Sequence, residues 1–240
     1  MTLPLVPPLK PQLALSRTTL PDGDEWAYEP KWDGFRCLAF VDGDDVDLQS
    51  RNARSLRRYF PELEFPLPVP CVLDGEIVVH TPGGSRQVGA QDFDLLGQRI
   101  HPAQSRVQRL AAETPATFVA FDLLARDGES LLAAPYRERR AALERLVVAP
   151  VELTPMVESI DEAQVWLHGA EGVIAKQLDA PYRPGERTGM VKVKRVRTAD
   201  AVVVGWRPGK APGTVGALIL GMYSPDGRLR EVGHSSGFSA

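Results

Sequence analysis

Cysteine is nearly missing from these 240 residues: there are two, Cys37 and Cys71, beside four histidines. Both cysteines fall inside apolar, strand-like runs, so they read as buried structural thiols and not as a disulfide framework. No cysteines and histidines stand at the spacings of a zinc site. Long apolar runs are absent as well. Nothing approaches the roughly 20 apolar residues of a bilayer crossing, so no helical span is expected. Met1 to Lys10 is rich in proline and poor in basic residues, which is not the pattern of a secretory signal; the cytoplasm is the expected location. Lysine is scarce too, with 6 against 22 arginines. Arginine stays charged and is a poor nucleophile, whereas a lysine amine can be made to lose its proton. Where so arginine-rich a chain uses lysine, amine chemistry is a reason to look.

What is present is an ordinary globular composition, 43% hydrophobic and 25% charged, with a net charge of −3. The distribution of that charge is uneven. Asp42, Asp44, Asp45 and Asp47 make one acidic segment. Residues 183–210 carry Arg183, Arg187, Lys192, Lys194, Arg195, Arg197, Arg207 and Lys210 against Glu186 and Asp200. Arg51, Arg54, Arg57 and Arg58 form a second basic cluster. Basic faces on an acidic chain suit a partner that bears phosphates.

Along the chain, residues 1–25 hold five prolines and read as an extended lead-in. Phe35–Val41 and Val46–Ser50 flank an Asp-Gly turn and read as a hairpin. Cys71–His80 and Thr117–Leu124 read as strands. Residues 87–111 read as helical on the spacing of Phe93, Leu96 and Ile100, and Tyr136–Val148 as a helix with an apolar stripe. Gly172–Gln177 and Met190–Val196 are strands around a Pro/Gly-rich loop. Ala201–Trp206 and Gly216–Tyr223 begin a β-only tail. The pattern is mixed α+β with mainly antiparallel strands.

Six short segments carry chemistry. Glu29-Pro30-Lys31-Trp32-Asp33-Gly34-Phe35-Arg36 places a lysine on a tight turn before a strand, with Asp33 and Arg36 close enough to fix its amine and a neighbouring phosphate. Ser50-Arg51-Asn52 ends a strand with a phosphate-binding side chain. Asp74-Gly75-Glu76 puts a carboxylate among apolar strand residues, where it needs a partner or a metal. Phe121 in Phe121-Asp122-Leu123-Leu124 offers a ring to stack on a base. In Glu171-Gly172-Val173-Ile174-Ala175-Lys176, alternation puts Glu171 and Val173 on one face, a carboxylate and an apolar platform for one ligand. Lys192-Val193-Lys194 sets two ammonium groups on one strand face, spaced to straddle a polyanion.

Each segment alone is an ordinary turn or strand end. In this order they resemble the covalent nucleotidyltransferase superfamily of ATP-dependent DNA ligases, RNA ligases and capping enzymes. Within it, Glu29 to Arg36, Ser50-Arg51-Asn52, the Pro181-Tyr182-Arg183-Pro184-Gly185 loop and Val204-Gly205-Trp206-Arg207-Pro208-Gly209 are most similar to bacterial repair and end-joining ligases of the ligase C and ligase D kinds. The resemblance covers roughly residues 26–221.

It implies an ATP-grasp-like nucleotidyltransferase domain over 26–197, antiparallel sheets flanked by helices, followed at 198–240 by the start of an OB-fold β-barrel. It implies that Lys31 attacks the α-phosphate of ATP, holds AMP as a phosphoramidate and passes it to the 5′-phosphate of a DNA nick, in repair, recombination or replication. Glu29, Pro30 and nearby backbone would read the adenine edge. Phe121 and Val173 would sandwich the base. Arg36 and Arg51 would hold ribose and phosphate, and Lys192 and Lys194 the α-phosphate and leaving pyrophosphate. Glu76 and Glu171 would bind Mg²⁺, with Mn²⁺ as a substitute. Arg51, Arg54, Arg183 and Arg207 would meet nicked double-stranded DNA.

A nucleoid-associated monomer is expected, with no membrane and with repair polymerases or primases as protein partners. The family's OB domain adds a basic motif that orients the pyrophosphate, and no match follows Lys194. The tail therefore reads as a truncated OB-fold, on a chain expected to bind ATP but to self-adenylate and seal weakly. The alternatives are an RNA ligase, a capping-type enzyme, or a fragment that binds ATP without completing ligation.

Overall fold

A computed structural model describes residues 3–81, 88–195 and 198–236. The chain divides into two compact units, Met1–Arg195 and Val196–Ala240. In the first unit the strands are β1 (Leu15–Arg17), β2 (Trp26–Pro30), β3 (Phe35–Asp42), β4 (Asp45–Ser50), β5 (Cys71–Val79), β6 (Ala116–Arg126), β7 (Glu129–Ser130), β8 (Glu152–Leu153), β9 (Gly172–Gln177) and β10 (Met190–Lys194). Its helices are α1 (Phe93–Gly97), α2 (Gln104–Glu113), α3 (Tyr136–Leu146) and α4 (Ile160–Gly169), with a 3₁₀ turn at Arg57–Tyr59. No helix among the described residues is long and apolar enough to cross a membrane.

Two sheets make this unit. One has the order β1-β10-β9-β2, and the other β4-β3-β5-β6-β7 with β8 added to β6. The Asp-Gly signal is realised as the β3–β4 turn, where Gly43 takes φ +63° without the Cβ penalty that other residues meet. One face of the larger sheet carries the main core, where Ile77, Phe118 and Leu123 pack with Leu96 and with Leu143 and Leu146 of α3. The other face holds Leu38, Phe40, Val72 and Leu124, covered by Tyr182 and by Leu3, Leu5 and Leu9 of the lead-in. The lead-in is therefore docked, and it ends in β1, which pairs with β10 in parallel.

The second unit is an antiparallel meander of β11 (Val202–Pro208), β12 (Val215–Tyr223) and β13 (Leu229–Ser236).

Two expected elements differ, and one helix was not expected. The helix expected over 87–111 is two helices, because the chain turns at Gln98–Arg99 and reaches Pro102, which has no N–H to continue a helix; residue 87 lies outside the described residues. The strand expected to run to Val196 ends at Lys194, and Val196 also lies outside them. A fourth helix, α4, was not expected. Its start is nonetheless written in Ser159-Ile160-Asp161-Glu162, a capping-box pattern in which the Ser159 hydroxyl accepts from the Glu162 N–H.

Candidate active site

The smaller sheet has two faces, set by period-two alternation. Tyr28, Val173, Ala175, Val191 and Val193 turn to α4 and form a core with Ala163. Glu29, Ile174, Lys176, Lys192 and Lys194 turn the other way and line a cavity of about 740 Å³, a volume that suits a nucleotide-sized ligand. Register sets Glu29, Ile174 and Lys192 side by side across β2, β9 and β10.

The larger sheet contributes Arg36, Glu76 and Phe121 to the same cavity. Arg36 and Glu76 are cross-strand partners. Phe121 is aimed inward by a bulge. Asp74 pairs with Asp122 and Gly75 with Ala120, so Phe121 is the extra residue between them.

Lys31 stands on the turn after β2, also lining the cavity. Its backbone N–H donates to the Gly172 carbonyl at 2.9 Å, and its Nζ donates to the Trp32 carbonyl at 3.3 Å. The next residue anchors the turn: Trp32 is buried, and its indole N–H donates to Thr154 Oγ1 at 2.8 Å. Gly34 is required because a Cβ there would meet the Ile77 carbonyl oxygen at 2.2 Å. The K-x-D-G pattern is thus a lysine presented by a turn pressed directly onto β5.

Burial dominates the electrostatics of Glu76, pushing its carboxyl up to about 8 against the opposing pull of Arg36 and Lys31. Lys192 is shifted down, first by desolvation and then by Lys194, Arg51, Lys31 and Arg187. Four cations close enough to depress a fifth make a site that a polyanion would relieve.

Arg36 is held firmly. Its Nε and Nη2 reach Asp74 Oδ1 and Oδ2 at 2.9 and 2.6 Å, a bidentate pairing. Asp74 also accepts from the Tyr182 hydroxyl at 2.6 Å. The Arg36 guanidinium lies 5.1 Å from the Phe121 ring centre, so its free surface is directed to the ring and the cavity.

The cavity therefore gathers Lys31, Glu29, Pro30, Arg36, Arg51, Arg54, Glu76, Phe121, Lys192 and Lys194 from the sequence reading. Val173 requires a correction. It is fully buried against Tyr28 and Ala163 under α4, so it cannot be the apolar platform for a base; Ile174, its neighbour, occupies that place in the lining. The expected sharing of one ligand face by Glu171 and Val173 fails with it. Glu171 precedes β9, does not line the cavity, and reaches Lys194 Nζ at 3.8 Å. Arg183 also lies outside the lining; its backbone N–H donates to Gln12 Oε1 at 3.0 Å. Arg207 belongs to the second unit.

Sequence reasoning placed Arg187 only within a basic face and gave no role to Lys176 or Ile174; all three line the cavity. Lys176 is buried, and its Nζ donates to the Phe121 carbonyl and Glu29 Oε2, both at 2.8 Å. Among the described residues no group of three or more His, Cys, Asp or Glu could hold a metal.

A cleft between two mainly antiparallel sheets, with a lysine turn, a stacking ring and paired lysines on its walls, belongs to the nucleotidyltransferase class. Residues 11–194 match the family description ATP dependent DNA ligase domain. DNA ligase C1 of Mycolicibacterium smegmatis is 47% identical over the whole of this chain and 72% of its own length. DNA ligase C of Mycobacterium tuberculosis is 46% identical over 97% of this chain and 67% of its own. Among solved structures, the ligase domain of M. tuberculosis LigD superposes with a TM-score of 0.64 at 33% identity, covering 95% of this chain and 72% of that one. A mycobacterial DNA ligase D complexed with ATP and MES gives 0.63 at 32% identity, with the same coverage. The chain belongs to the ATP-dependent DNA ligase family. It comprises the family's enzymatic core.

Proposed function

We propose that Lys31 is the residue that carries AMP, and that the cavity behind it takes ATP with the base against Phe121 and the phosphates toward Lys192 and Lys194. The supporting observation is the placement of Lys31 Nζ on a rigid turn in one cavity with Glu76, Phe121 and the two lysines. The unprotonated amine attacks the α-phosphorus. A P–N bond forms as the P–O bond to pyrophosphate breaks, and the leaving charge develops where Lys192 and Lys194 stand. Such a transfer needs positioning and charge neutralisation more than proton transfer. AMP then moves to the 5′-phosphate of a nick, and the 3′-hydroxyl displaces it.

Ile174 is the apolar partner of Phe121 about the adenine, and Glu29 with the adjoining Pro30 backbone meets the base edge. Glu76, which lines the cavity, would hold Mg²⁺, or Mn²⁺ in its place, together with the substrate phosphates; Glu171, the other expected ligand, stands outside the lining beside Lys194. Magnesium commonly takes one or two carboxylates plus substrate phosphates, a donor set that needs no cage of three acidic residues. When bound, the ion neutralises phosphate charge. Arg51 and Arg54 at the cavity wall, with Arg183 and Arg207, meet the DNA backbone. The first unit is then the adenylation domain and the second the start of an OB-fold.

Relatives named as end-joining DNA repair proteins support a role in repair; nicked duplex DNA within the nucleoid is the setting proposed for it. With relatives named DNA ligases over the whole chain, DNA is favoured over an RNA or cap substrate.

Incubation with α-labelled ATP, followed by denaturing electrophoresis, tests the central assignment. Label is retained by the native sequence and absent from Lys31→Ala; label kept by that variant would overturn it.

A further inference from the structure

Beneath the cavity lies a buried polar cluster that none of the six sequence segments predicts. Glu29 is 2% exposed and Lys176 3%. Glu29 Oε2 meets Lys176 Nζ at 2.8 Å, and Glu29 Oε1 accepts from the Tyr136 hydroxyl. Tyr136 is on α3, 107 residues along the chain from Glu29. One turn later on the same helix, Arg140 Nη1 stands 3.6 Å from Glu29 Oε1, while Arg140 Nη2 donates to the Thr154 carbonyl at 2.9 Å. The Lys176 ammonium lies 4.6 Å from the Tyr136 ring centre and 4.9 Å from that of Phe121. Tyr136 therefore does two separable things. Its ring walls in Lys176, and its hydroxyl sets the carboxylate.

A carboxylate has about four acceptor positions. Donors on both oxygens use some of these and fix the direction of those that remain. A side chain held this way cannot rotate to follow whatever base enters. Its remaining acceptor capacity suits an exocyclic amino group, which donates, and opposes a carbonyl, which only accepts. Adenine and guanine differ in this respect at the six position.

We propose that Tyr136 is a positioning residue for base selection, its hydroxyl orienting Glu29 so that the site favours a 6-amino purine over a 6-oxo purine. The proposal rests on the reading that Glu29 meets the base edge. Tyr136 touches no substrate and acts through Glu29. Its raised phenol pKa, due first to burial and then to Glu29, keeps the hydroxyl a donor across the working pH range.

Binding of ATP and of GTP to the 240-residue chain, measured by titration calorimetry, tests this with Tyr136→Phe and Glu29→Gln. The Phe variant keeps the ring against Lys176 and removes only the O–H. Its ATP affinity falls about tenfold, as expected for one lost hydrogen bond to a charged group, and its GTP affinity does not fall, so the ATP/GTP ratio narrows. A purely structural role would lower both affinities together, or only the melting temperature, and either result would overturn the proposal. Glu29→Gln narrows the ratio as well. If Glu29→Gln narrows it and Tyr136→Phe does not, the positioning role is wrong while the reading of Glu29 stands. If Glu29→Gln leaves the ratio unchanged, the reading itself falls and the proposal with it.

Discussion

At the scale of single residues, adjacent positions on β9 do opposite jobs. Val173 is in the core under α4, and Ile174 is in the cavity wall. Val173→Ala is expected to cost about 2 kcal/mol of stability, the loss of buried methyls plus a small void, with ATP affinity nearly unchanged. Ile174→Ala is expected to weaken ATP binding severalfold with little change in melting temperature. Thermal melts and calorimetry on the pair decide this, and the reverse pattern would restore Val173 to the site. The strand was legible in the sequence, but its facing was not. Alternation defines two faces and cannot say which is covered, and α4, which covers one, was not anticipated. Lys31, Glu76, Phe121 and the two lysines were legible because each sits in a short pattern of unusual composition. Tyr136 and Lys176 were not, because their roles exist only through partners far away in sequence. The cysteines allow a simpler check. Burial pushes Cys71 up to about 12 and Cys37 well above the ordinary thiol. Thiolate is the reactive form and falls tenfold for each pH unit below the pKa, so neither cysteine should be alkylated by iodoacetamide at pH 8 until guanidinium unfolds the chain. Rapid labelling of the native protein would show that the β3–β5 region opens.

At the scale of elements, the proline-rich lead-in has more structure than its composition promised. Leu9 exchanges two hydrogen bonds with the Gln49 amide, at 2.9 and 2.6 Å. Gln12 is 3% exposed; its N–H donates to Tyr182 Oη at 2.9 Å and its side-chain amide bonds to Arg183 N and the Thr188 carbonyl. Tyr182 in turn donates to Asp74, which holds Arg36. A segment without periodicity is thus tied by backbone-directed bonds to the strand that forms one wall of the site. Composition hides this, because hydrogen bonds to side-chain amides leave no hydrophobic repeat. Gln12→Ala strips partners from buried groups, a cost of about 1–3 kcal/mol, or a melting temperature lower by about 2–12 °C at this chain length. A midpoint within a degree of the native protein would show that the lead-in is not docked in solution. The β-hairpin, β5, β6 and α3 were legible because turn chemistry and apolar spacing agree there. The helix over 87–111 was misjudged for the converse reason: three apolar residues at helical spacing span a break that Pro102 enforces only near its end.

At the scale of the whole molecule, charge is segregated. The chain carries −3 overall and a pI near 5.9, values that taken alone argue against a nucleic-acid partner. Yet Lys31, Arg51, Arg54, Arg187, Lys192 and Lys194 share one cavity, while Asp42, Asp44 and Asp45 crowd the β3–β4 turn. The local field, not the net charge, governs the encounter with a polyanion. Binding to nicked duplex DNA should therefore weaken steeply with salt despite the acidic pI. Each phosphate neutralised contributes about 0.9 to the slope of log affinity against log salt. Arg51→Ala and Arg54→Ala should each flatten that slope by about 0.9, and the double variant by about twice as much. Arg109, exposed on α2 beside Glu113, supplies the control. It carries the same charge away from the cavity, so Arg109→Ala should leave the slope where it was. Fluorescence anisotropy across a salt series reads the native protein and all four variants. Equal flattening by Arg109→Ala would mean that DNA responds to overall charge and not to this face. No flattening by Arg51→Ala or Arg54→Ala would place the DNA backbone elsewhere. The acidic turn gives the test a second arm. If long-range repulsion from Asp42, Asp44 and Asp45 matters, neutralising them should raise DNA affinity at low salt and lose its effect near 0.15 M, where the screening length is about 8 Å.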